Sequence, residues 1–121
     1  MSYDKNNKMS KLPITEKQLV QVIIEYLNSR GHFAWRNNTG VSFVEYRDKY
    51  DIQKRRAIPF SIKGAPDVLG YSRKGVFIGI ECKVGYNKPT EDQLYFIEKA
   101  KKSGAYALVA YNLDQVIATG L

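Results

Sequence analysis

Residues 76–84, VFIGIECKV, constrain the fold more than any other stretch. In an extended strand successive side chains point to opposite faces. Val76, Ile78, Ile80, Cys82 and Val84 then share one face, which is wholly apolar and belongs in a core. Phe77, Gly79, Glu81 and Lys83 share the other, which begins apolar and ends charged. The strand is therefore expected to run from a covered end to an open rim, with Glu81 and Lys83 as neighbours on that rim. Burying a charge is costly unless the charge is paired or meets a metal.

A second strand, DVLGY at 67–71, precedes the first across a short connection. The loop Arg73-Lys74-Gly75 puts glycine where a positive φ is needed. That loop sets Ser72 opposite Val76, Tyr71 opposite Phe77 and, counting on, Asp67 opposite Glu81. Directly opposed residues have Cβ atoms roughly 4.5–5.5 Å apart. Two carboxylates so placed repel unless a cation lies between them, and hard divalent ions prefer such oxygen ligands. A slip of one residue would turn Glu81 to the other face. Lys83 sits beside the pair, suited to positioning a water or offsetting charge on a phosphate. Pro66 suits the first residue of a strand, because it cannot donate to a ladder. The plainer alternative is a solvated rim with a weak ion pair, worth about 0–1 kcal/mol.

The rest of the chain alternates helices and strands. Pro13 and Thr15 announce a first helix, and Thr15 with Gln18 makes a capping box. Leu19, Val22, Ile23, Tyr26 and Leu27 recur at helical spacing, and Gly31 stops it. HFAW at 32–35 and VSFVEY at 41–46 are strand candidates, with turn chemistry in RNNTG at 36–40. Residues 47–56, RDKYDIQKRR, are charged and irregular, fitting either a flexible loop or part of an extended hairpin. Pro89 and Thr90 precede a second helix with Thr90 and Gln93 as its capping box; Leu94, Ile97 and Ala100 form its apolar side and Gly104 ends it. AYALVAY at 105–111 reads as a strand covered on both faces, and 112–118 as a short helix capped by Asn112. This order describes a mixed α/β domain over residues 13–121, with residues 1–12 as a flexible polar tail.

Composition narrows the setting. The 121 residues suffice for one domain. The single cysteine, Cys82, excludes an intrachain disulfide and a cysteine-based zinc site, which suits a reducing, cytoplasmic environment. No apolar run approaches the roughly 18 residues of a membrane span, and the first residues lack the apolar segment of a secretory signal. With 19 Lys and Arg against 12 Asp and Glu the net charge is +7, which favours a polyanionic partner.

Pro66-Asp67 followed by Glu81-Cys82-Lys83 resembles the PD-(D/E)xK nuclease superfamily. WRNNTG at 35–40, KGAPDVLG at 63–70, IECK at 80–83 and TEDQLYFIEKAKKSGAYALVA at 90–110 follow in an order similar to its VRR-NUC branch, found in phage and bacterial proteins. The resemblance implies a restriction-endonuclease-like mixed central sheet flanked by helices. It also implies a metal-dependent endonuclease that hydrolyses phosphodiester bonds with a metal-activated water. By position, Asp67, Glu81 and the backbone carbonyl of Cys82 would ligate Mg²⁺ or Mn²⁺. Lys83 would serve the attacking water, Glu16 would reach the metal shell from the first helix, and Gln93 would join from the second. The same resemblance implies a homodimer acting on branched DNA such as four-way junctions, with no membrane partner, in DNA repair or phage-infected cells.

Several of these residues have a local explanation as well. Gln93 is explained by capping and Glu16 by the helix dipole. Arg36, Asn37 and Asn38 are phosphate contacts or ordinary turn residues. Lys49, Lys54, Arg55 and Arg56 track a DNA backbone or form a solvated charge run, and Lys63 joins them as a candidate DNA contact. His32 is expected in a strand rather than as a general base, and Trp35 and Tyr46 in the core. Two rival functions remain: a nucleic-acid-binding module that does not cleave, and a sequence-specific restriction-type nuclease.

Overall fold

The computed structural model describes residues 13–38, 40–59 and 62–121, so the tail at 1–12 lies outside the described residues. Helix α1 (Glu16–Ser29) begins at the expected capping box: Thr15 Oγ1 accepts from Gln18 N at 3.0 Å, and Gln18 Oε1 accepts from Thr15 N at 2.8 Å. Two N–H groups that a helix start leaves unpaired are thereby satisfied. Strands β1 (Phe33–Arg36), β4 (Val68–Tyr71), β5 (Phe77–Cys82) and β6 (Tyr106–Ala110) form one sheet in the order β1-β4-β5-β6. Strand β4 is antiparallel to both of its neighbours, β1 and β5, and β6 runs parallel to β5. The crossover between β5 and β6 is helix α2 (Glu91–Lys102), and α3 (Leu113–Ile117), capped by Asn112, closes the described chain. The α/β class with a mixed sheet and flanking helices is as expected.

The core lies on one face of this sheet. Leu19, Val20, Ile23 and Leu27 of α1 pack with Val68, Ile78, Ile80, Cys82 and Ala110. The apolar alternation at 76–84 is therefore realised, and the hairpin register follows the loop chemistry: Tyr71 pairs with Phe77 and Val68 with Ile80. Gly75 has a φ of 81°, where a side chain would be strained.

Gly70 is needed for a different reason. A Cβ there would collide with the Phe33 carbonyl oxygen and lie 2.7 Å from Ala34 Cα on the adjoining strand. Gly70→Ala is expected to cost about 3 kcal/mol as an overpacked strand pair. It would lower the melting temperature by about 10 °C, measured by thermal denaturation. A change within a degree or two would show that β1 yields without cost.

Of the two alternatives for residues 47–56 the extended hairpin is the one formed: in a second, two-stranded sheet β2 (Val41–Arg47) pairs with β3 (Gln53–Pro59), Glu45 opposite Arg55 and Val44 opposite Arg56. The turn is held by Asp48, whose Oδ1 accepts from Tyr50 N and Ile52 N at 2.8 and 3.0 Å. Three other expectations are corrected. Residues 42–47 and 53–58 of this ribbon are exposed on both faces. Tyr46 is therefore not a core residue (45 % exposed), and neither is Trp35 (44 % exposed). Trp35 stands on the edge strand β1, on the sheet face away from α1, in a row with Phe33 and Tyr71 whose ring centroids are 5.5–5.6 Å apart along the row. Leu94 is exposed, and Ile97 alone of the three α2 residues expected on its apolar side is fully buried. Finally, the covered and open ends of β5 are reversed. Phe77 is 40 % exposed, whereas Glu81 is 2 % exposed.

Candidate active site

The reversal on β5 buries Glu81 beneath two half-buried acidic residues, Glu16 and Asp67. One ladder step beyond the Val68–Ile80 pair places Asp67 against the Glu81–Cys82 segment, and Asp67 Oδ2 accepts the Cys82 backbone N–H at 2.9 Å. Asn37 braces the start of β4: its N–H donates to the Asp67 carbonyl at 2.7 Å and its Nδ2 to the Pro66 carbonyl at 3.0 Å. Glu16 arrives from the first turn of α1. One carboxylate oxygen from each of Glu16, Asp67 and Glu81 lies within 4.8 Å of the other two.

Glu81 is the residue around which the others are arranged. Its Oε2 is 3.3 Å from Lys83 Nζ and accepts from Gln93 Nε2 at 3.1 Å. Gln93 also completes the α2 capping box through its Oε1, so one side chain both caps the helix and reaches Glu81. Lys83 is itself largely buried, its side chain 13 % exposed. The other oxygen, Glu81 Oε1, is buried with no hydrogen-bond partner. Orphaned buried carboxylate oxygens are uncommon and costly. Burial, and secondly the Asp67 charge, push the Glu81 carboxyl up to about 7, against the opposing pull of Lys83. The adjacent Cys82 thiol is held well above its usual range by burial and by the Asp67, Glu81 and Glu16 charges, so it stays protonated and inert.

A divalent cation fits this donor set. It would meet oxygen ligands only, neutralise the carboxylate repulsion and satisfy the stranded Oε1. An all-oxygen set suits Mg²⁺ or Mn²⁺ rather than a thiophilic metal.

Of the other sequence candidates, Asn37 and Arg36 stand beside the cluster and the rest lie elsewhere. Arg36 ends β1 near the cluster, close enough that its charge opposes the rise at Cys82. Asn38 is exposed and accepts from Gly40 N at 3.5 Å. Lys49, Lys54, Arg55 and Arg56 sit on the ribbon. There Lys54 is 3.6 Å from Asp48, and the Arg55 guanidinium lies 4.0 Å over the Phe43 ring. Lys63 is exposed and paired with Asp92 at 3.3 Å. The Asn37 brace has no sequence signal beyond turn composition, and the exposed aromatic row has none.

A solved structure described as a VRR_NUC domain superposes on this chain with a TM-score of 0.56 and 24 % identity, covering 87 % of this chain and 94 % of that one. This chain has the VRR_NUC fold. No family model matches its sequence, and no curated protein does.

A pH dependence follows from Glu81. Its carboxyl titrates near 4.5 when unfolded and near 7 when folded. A raised acid pKa contributes stability that is complete below the unfolded value and is lost as pH rises through the folded one. The metal-free protein is expected to lose on the order of 2 kcal/mol between about pH 4.5 and 8, after allowance for screening by Lys83 and solvent. Added Mg²⁺ or Mn²⁺ is expected to restore it at pH 8, because a ligand of the folded state stabilises it. Thermal denaturation in chelator across this range checks the slope. A flat profile would mean that Glu81 is ionised without penalty.

Proposed function

We propose that this chain is a divalent-metal-dependent endonuclease that hydrolyses DNA phosphodiester bonds. The observation that carries the proposal is the buried, unpartnered Glu81 Oε1 within a cluster of three carboxylates, flanked by Lys83 and Gln93. Bound between Asp67, Glu81 and the Cys82 carbonyl, with Glu16 in reach, Mg²⁺ or Mn²⁺ would offset phosphate charge and acidify water. Gln93 and Lys83 fix Glu81 through Oε2, which leaves Oε1 for the cation. Lys83 is the general acid-base and water-orienting group, because it is the cation nearest the cluster and is sheltered from solvent. Arg36 and Asn38 supply phosphate contacts beside it. The ribbon, with Arg55, Arg56, Lys49 and Lys54, is an arm for a DNA backbone or groove, since a two-stranded ribbon matches the major groove in width.

The substrate is branched DNA, such as a four-way junction, read by shape and backbone rather than by base edges. Two copies acting together suit a substrate with equivalent strands. The exposed row Phe33, Trp35 and Tyr71, continued by Phe77, is the surface we assign to that homodimer, because exposed apolar patches mark partner sites. Phe33→Glu with Tyr71→Glu is expected to convert a dimer to a monomer in light scattering, with folding intact because both side chains are half exposed. A monomeric wild-type chain would refute the assignment. A cytoplasmic role in DNA repair in bacterial or phage-infected cells belongs to the same proposal.

The deciding experiment incubates the protein with junction, fork, flap and linear duplex at one salt concentration, with Mg²⁺, Mn²⁺ or EDTA. Metal-dependent cleavage favouring the junction is the expected result. Binding without cleavage would leave a non-cleaving module, and discrete fragments from linear plasmid would indicate a sequence-specific enzyme.

A further inference from the structure

The β2-β3 ribbon presents two faces that differ in charge. Neighbours along a strand point to opposite sides, and directly opposed residues of an antiparallel pair point to the same side. One face therefore carries Phe43, Glu45 and Arg47 with Gln53, Arg55 and Ala57. The other carries Ser42, Val44 and Tyr46 with Lys54, Arg56 and Ile58. All of them are exposed, so burial does not choose between the faces.

Their chemistry does. On the first face the cations are already engaged. The Arg55 guanidinium lies 4.0 Å over the Phe43 ring. Arg47 Nη1 donates to the Asp51 carbonyl at 2.8 Å and lies 3.5 Å from its carboxylate. Glu45, whose Oε1 accepts from Gln53 Nε2 at 2.9 Å, would set a negative charge against any polyanion laid there. The second face has no acidic residue. Its polar groups are two cations and two hydroxyls, all able to donate. Lys54 is 3.6 Å from Asp48 of the turn. The Arg56 guanidinium and the Ser42 and Tyr46 hydroxyls have no hydrogen-bond or ion-pair partner among the described residues.

We infer that the ribbon grips DNA through this second face only, with Arg56 in direct contact with a backbone phosphate and Ser42, Tyr46 and Lys54 beside it. A guanidinium fork matches phosphate oxygens, and each phosphate it neutralises releases a counterion. The Phe43–Arg55 face is turned away from the DNA. This rests on the DNA arm proposed above but not on cleavage, since it needs neither a metal nor Glu81.

Arg55 and Arg56 carry equal charge on opposite faces, so they make a matched pair. Fluorescence anisotropy titrations of a labelled four-way junction and a linear duplex, in EDTA and over a range of sodium chloride, compare them. Arg56→Ala is expected to lower the slope of log affinity against log salt by about 1. Arg55→Ala is expected to leave that slope within about 0.3 of wild type. Val44→Glu, opposite Arg56, is expected to weaken binding about tenfold, and Ala57→Glu, with the same charge on the other face, by less than about twofold. All four positions are exposed, and melting curves check that the variants fold. Equal losses from the two faces, or an unchanged slope in Arg56→Ala, would overturn one-sided contact. A lower oligomer mass for Val44→Glu in light scattering, with DNA affinity unchanged, would give the face to a second copy and overturn it as well. A chain that shows the predicted slopes but cleaves nothing in Mg²⁺ or Mn²⁺ would sink the nuclease reading and keep this one. A chain that cleaves but fails the Arg55–Arg56 comparison would do the reverse.

Discussion

Glu81→Gln is expected to abolish DNA cleavage, by more than about a thousandfold, and to leave the metal-free protein more stable than wild type at pH 8. The two effects have one cause. Glu81 is a carboxylate held in a place that disfavours its charge, 2 % exposed and beside Asp67. Gln keeps the shape and still meets Gln93 and Lys83, but it brings no charge to be desolvated and none to hold a cation. The stability gain should vanish well below pH 4.5, where wild-type Glu81 is protonated in both states, grow between about pH 4.5 and 7, and level off above that. Cleavage assays and paired melting curves check both arms. A variant that cleaves at wild-type rate, or that is destabilised at pH 8, would show that the carboxylate is structural.

Lys83→Met is expected to lower cleavage by about a hundredfold to ten-thousandfold while DNA binding stays within about threefold. Met fills the same buried channel without the ammonium, so packing is conserved. The Lys83 charge is what opposes the rise at Glu81, so its loss should push the Glu81 carboxyl further above 7 and move the onset of metal binding to higher pH. That shift separates a catalytic ammonium from a merely structural ion pair, which would affect stability without displacing the pH profile. Single-turnover rates and fluorescence binding isotherms provide the comparison.

Much of the sheet is legible before any coordinate is seen. Alternation at 76–84 sorts Ile78, Ile80 and Cys82 to the core, and the glycine at 75 sets the register that brings Asp67 to Glu81. Both capping boxes form as written because they depend on residues three apart. What is not legible is closure by distant segments. Alternation along β5 makes Glu81 look like a rim residue; only the family resemblance brings Glu16 and Gln93 to it, and neither residue's local sequence shows that they will close over it. The ribbon carries apolar residues on both faces, so Tyr46 looks like core although it is half exposed. Trp35 misleads for a similar reason: α1 covers only one side of β1.

The most direct measurement is anomalous diffraction from crystals soaked in Mn²⁺ at pH 8. A single strong peak is expected between the Asp67 and Glu81 carboxylates, at about 2.2 Å from an oxygen of each, with Glu81 Oε1 among its ligands. No peak there at saturating Mn²⁺, with the Glu81 and Asp67 carboxyls instead sharing a proton, would contradict the metal site on which the proposed nuclease depends.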